Sequence, residues 1–144
     1  MTTWILVADE SRARLFKAQA KDGKLEEIAD IAHPEGRMHA SEMTRDRLPR
    51  AHDSFGGARH AIEPHTSLSD KLSLEFAREL AERLEHGRVN HTYDELVLVA
   101  APRFLGLLRN TIGHEVAKLL VKSIGKGITG STPEQIRSVV DGEP

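Results

Sequence analysis

Apolar positions follow one rule in some stretches of this chain, another rule in others, and none in between. "TWILVAD" is a short, almost unbroken apolar run that stops at Asp9. That is the pattern of a strand covered on both faces. A tight Glu10-Ser11 link then leads to "RARLFKAQ", so the first two runs predict a hairpin. "KDGK" offers Gly23 for a positive φ and opens "LEEIADIA", where Leu25, Ile28 and Ile31 are less regular and predict an edge strand.

A helical period appears from about Ser67 to His86, where Leu72, Phe76, Leu80 and Leu84 recur every four residues and Ala77 and Ala81 widen the stripe. Glu75, Arg78, Glu79, Glu82 and Arg83 fall opposite. Thr66 or Ser67 can cap this helix, Asp70 suits its positive end, and Gly87 is expected to terminate it. "ELVLVAAP" predicts another buried strand, and "PRFLGLLRNTIG" a short helix with Pro102 at its first position. "EVAKLLVKSI" fits a helix or a strand, and the glycines of "GKGITG" limit its continuation. "STPEQIRSVV" predicts a closing helix with Ser131 or Thr132 as cap, Pro133 in the first turn and Glu134 at the positive end. The order β-β-β-α-β-α-β-α predicts an α/β fold, a mixed five-stranded sheet with helices packed on it. An RNase H-like sheet is the best known solution of that order. A single domain over residues 1–144 is expected, with no internal repeat.

Between the third strand and the long helix, residues 34–65, no period holds. Together with His33 this stretch carries three of the six prolines, three of the 11 glycines and five of the eight histidines. A loop of such length inside a compact domain is usually functional or disordered. Arg37, Arg45, Arg47, Arg50 and Arg59 nearly balance Glu35, Glu42, Asp46, Asp53 and Glu63.

Composition narrows the classes. A formal net charge of −2 argues against whole-surface attraction to nucleic acid or anionic membrane, leaving a local basic patch as the route to either. Aromatics at 4% leave little surface for stacking bases. Zero cysteines exclude disulfides and thiolate chemistry and agree with a reducing compartment. With no leader pattern and no apolar run approaching the roughly 20 residues of a membrane span, a cytoplasmic, membrane-free protein is expected.

Three chemistries compete for the polar residues. An RNase H-like nuclease would hold divalent metal on clustered carboxylates, with Asp9 at the end of the first strand and Asp70 on the long helix, and Glu75, Asp94 or Glu95 as companions. Asp94 and Glu95 precede their strand, which puts them at the wrong edge of the sheet. The alternative for Asp9 and Asp70 is a turn-former and a helix-start carboxylate. The loop histidines His33, His39, His52, His60 and His65 match no compact ligand spacing, and no metal or other cofactor is expected. Ser54 lacks the pattern of a nucleophile elbow. Phosphate binding suits the loop better: Gly56 and Gly57 expose backbone N–H groups, and the adjacent Arg59 can grip two phosphate oxygens. "GKGITGS", with Lys122 and Lys126 near it, is a second candidate for an anion or simply a connector.

"WILVADESRARLF", "HPEGR", "FGGARHAIEPHTSLSDKLSLEFARELAERL", "YDELVLVAAPRFLGLLR" and "STPEQIR", in that order, resemble the bacterial host attachment family over nearly the whole chain. That family is similar to the central domain of archaeal and eukaryotic class-1 peptide-chain release factors. The resemblance implies an RNase H-like fold of the non-nuclease kind, with Gly56-Gly57 at the place of the release factor's GGQ tip. Ala58 stands where the glutamine would be, and alanine has no amide side chain. Peptidyl-tRNA hydrolysis by that route is therefore not expected, and the chain reads as a non-catalytic accessory protein with the ribosome or tRNA as partner. Gly56 and Gly57 would approach RNA by their backbone, and Arg59, His60, Arg50 and Arg47 are added on electrostatic grounds. A metal-dependent nuclease and a protein-interaction module in attachment signalling are the other readings.

Overall fold

The computed structural model describes residues 1–19, 23–34 and 67–142. Five strands are present among them: β1 (Thr2–Ala8), β2 (Arg12–Gln19), β3 (Leu25–Ala32), β4 (Glu95–Ala100) and β5 (Leu120–Ile124). Four helices accompany them: α1 (Leu68–Val89), α2 (Pro102–Thr111), the single turn α3 (His114–Ala117) and α4 (Pro133–Gly142). The strands form one mixed sheet in the order β3-β2-β1-β4-β5. β1 is antiparallel to β2 and β2 to β3, whereas β4 runs parallel to both β1 and β5.

Alternation along the two central strands sorts the core into two layers. Trp4, Leu6 and Ala8 of β1 and Leu96, Leu98 and Ala100 of β4 meet Phe76, Leu80 and Leu84 of α1 and Phe104 and Leu108 of α2. Ile5, Val7, Val97 and Val99 face the other way, against Ile136 and Val140 of α4. Both faces are covered, which explains the unbroken apolar runs of the central strands. β3 is an edge strand, as its irregular pattern predicts, and Glu26, Glu27, Ile28 and Asp30 on it are exposed.

Local signals place most helix starts. The Ser67 hydroxyl accepts from the Asp70 amide at 3.3 Å, Pro102 opens α2, and Thr132 and Gln135 exchange side-chain-to-backbone bonds of 3.1 and 2.9 Å at the start of α4. The ambiguous "EVAKLLVKSI" divides between the two possibilities, its first residues in α3 and its last in β5. Gly87 corrects the expectation that it ends α1. The helix runs on to Val89, and Gly87 is buried inside it against the Trp4 ring.

Trp4 in turn stacks on Tyr93, with ring centroids 4.5 Å apart, and the Tyr93 hydroxyl donates to the Leu84 carbonyl at 2.8 Å. Burial, with a smaller push from Glu85, drives the Tyr93 phenol up to about 12. The unfolded phenol titrates near 10, so the unfolded state loses its proton first as pH rises. Tyr93's contribution should be fully present below about pH 10 and disappear between pH 10 and 12. Urea midpoints across that window should fall in the wild type and fall less in Tyr93→Phe.

Candidate functional site

The loop residues singled out for RNA, namely Arg47, Arg50, Gly56, Gly57, Arg59 and His60, lie outside the described residues. So do His39, His52 and His65. What the structure does define is the ground on which that loop begins and ends. The His33 amide donates to the Ser11 carbonyl at 2.8 Å, its ring is buried flat on Phe76 at 4.8 Å, and Nδ1 lies 3.4 Å from the Glu10 carbonyl. Its Nε2 lies 3.9 Å from Glu75. This histidine is a packing residue at the root of the loop. The other root is Ser67, the cap of α1, six residues before Ser73.

A groove opens close by, with Glu10 and Asp70, the hydrogen-bond partners of His33 and Ser67, in its lining. It has a volume of about 520 Å³ and runs between α1 and α2, lined by Asp70, Ser73 and Leu74 on one side and Arg103, Phe104, Gly106, Leu107 and Asn110 on the other, with Glu10 at its end. Glu10 follows the carboxyl end of β1, and α2 follows the carboxyl end of the adjacent parallel strand β4. From these neighbouring ends the chain departs in opposite directions, to β2 on one side and towards β5 on the other. Such divergence is where open α/β sheets form ligand crevices. Arg103, at the start of α2, reaches across to Asp70 at 2.8 Å while remaining 80% exposed.

The proposed metal carboxylates have other work in this structure. Asp9 Oδ1 accepts from the Ser11 and Arg12 amides, each at 2.8 Å, and from the Ser11 hydroxyl at 3.2 Å. Its Oδ2 accepts from the Thr129 hydroxyl at 2.7 Å. Asp9 thus shapes the β1–β2 turn and ties it to the connection between β5 and α4. Asp70 faces Arg103, and among the described residues no three His, Asp or Glu side chains gather as a metal site. Asp94 and Glu95 lie at the opposite edge, where the Thr2 amide donates to Asp94 Oδ2 at 2.8 Å.

"GKGITGS" is a tethered connector. The Arg14 guanidinium donates to the Thr129 and Ser131 carbonyls at 2.9 and 2.6 Å, and Lys122 Nζ donates to the Val140 carbonyl at 2.7 Å. Sequence reasoning missed both Arg14 and the groove. Its one available signal was Gly106, a glycine inside a helical pattern, which calls for a packing or functional reason.

A family model described as "Protein required for attachment to host cells" matches residues 4–140, from the core of β1 to the core of α4. The chain belongs to this host attachment family. An uncharacterized protein of Rickettsia prowazekii (strain Madrid E) is 31% identical over 81 residues, covering 55% of this chain and 54% of that protein. The host attachment chain therefore spans about half the length of this curated relative. A solved structure described only as "Archaeal protein" aligns with 98% of the chain and 33% of its own length, at 10% identity and a TM-score of 0.49. Among the described residues no helix is long and apolar enough to cross a membrane.

Proposed function

We propose that this host attachment protein is a non-catalytic accessory factor that binds RNA in the context of the ribosome or tRNA, on an RNase H-like sheet related to the release-factor central domain. The sheet order β3-β2-β1-β4-β5, with β4 parallel to β1, supports that fold reading. One observation carries the non-catalytic part: both oxygens of Asp9, the carboxylate at the end of β1, are engaged by Ser11, Arg12 and Thr129. A metal ion would have to share those oxygens with the donors that hold the turn. Gly56, Gly57, Arg59, His60, Arg50 and Arg47 supply the RNA contact in this reading, the glycines by close backbone approach and the cations through phosphate. Attachment to host cells, named in the family's description, would then follow indirectly.

Co-sedimentation with ribosomes and titration with tRNA, each at low and moderate salt, test this. Binding should weaken as salt rises, and Arg47→Gln/Arg50→Gln/Arg59→Gln should weaken it about tenfold or more and flatten the salt dependence. Salt-insensitive binding, or none, overturns the proposal. Mg²⁺- or Mn²⁺-dependent RNA cleavage that disappears in Asp9→Asn would replace it with the nuclease reading, and a pull-down that recovers proteins without RNA would replace it with an interaction module.

A further inference from the structure

We draw no further inference here: the strongest candidate, the cleft between α1 and α3 lined by Glu82, Glu85, His86, His114 and Glu115, is a cluster of exposed side chains in which Arg88 and Lys118 already pair Glu85 and Glu115, and nothing among the described residues shows what would fill it.

Discussion

Gly87→Ala is expected to destabilise the protein by about 2 kcal/mol despite improving the intrinsic helix propensity of α1. A Cβ at this position would lie 2.5 Å from Trp4 Cη2, 2.7 Å from Cζ3 and 2.9 Å from the Thr92 hydroxyl oxygen. None of these can retreat cheaply. The Trp4 ring is 8% exposed and is held by its stack on Tyr93, while the Thr92 hydroxyl donates to the Gly87 carbonyl at 2.8 Å. Overpacking a filled core typically costs 1–3 kcal/mol, and about 1 kcal/mol returned by replacing a helical glycine offsets only part of a clash with three atoms. Urea denaturation should show a lower midpoint with an unchanged slope. A companion Gly87→Ala/Trp4→Leu double variant should recover part of the loss relative to Trp4→Leu alone, since the alanine methyl then enters the space vacated by the indole. Equal losses in both backgrounds would show that the indole is not the obstacle.

Gly87 also shows where the sequence stops being informative. Glycine after a periodic run is a common helix terminator, and the tryptophan that requires it here belongs to the first strand. By contrast, features whose cause lies within a few residues were legible. These include the Ser67 cap, Pro102 at the first turn of α2, Thr132 as one of two cap candidates for α4, and Gly23, which takes φ +69° between β2 and β3. The buried runs of β1 and β4 announced a sheet covered on both faces. The parallel pairing of β4 with β5 settled what "EVAKLLVKSI" left open, because strand partners decide an apolar run that either element could accept. For the site the balance reverses. The groove is assembled from the turn after β1 and the faces of two helices, and Ser73 is indistinguishable in sequence from a solvent-facing helical serine. Arginines and glycines of the loop stood out by composition alone, which identifies chemistry without geometry.

Arg14→Met is expected to cost about 2–4 kcal/mol, more than its place on a strand would suggest. The residue is 8% exposed and its guanidinium lies 5.0 Å from the Phe16 ring centroid. Two nitrogens pair with Glu27, each at 3.0 Å, and a third reaches the Thr129 and Ser131 carbonyls. Those carbonyls are separated from Arg14 by 115 and 117 residues, so one side chain fastens the β2–β3 edge to the entrance of α4. Methionine fills most of the volume but leaves two carbonyls without a charged donor and one carboxylate without its cation. Hydrogen bonds to charged groups contribute about 1.5–3 kcal/mol each, and breaking a fully buried pair costs about 3–5. The Glu27 side chain is 31% exposed and regains water, which holds the total below that sum. Arg14→Lys should fall between, since an ammonium cannot span both Glu27 and the carbonyls in the fork geometry of a guanidinium. Hydrogen exchange provides the specific signature: amides near residues 128–132 and the first turn of α4 should lose protection in Arg14→Met beyond what the global loss of stability explains, while β1 and β4 should not. Uniform loss across the sheet would mean that Arg14 serves the core as a whole and that the connection to α4 is held by Asp9 and Thr129 instead.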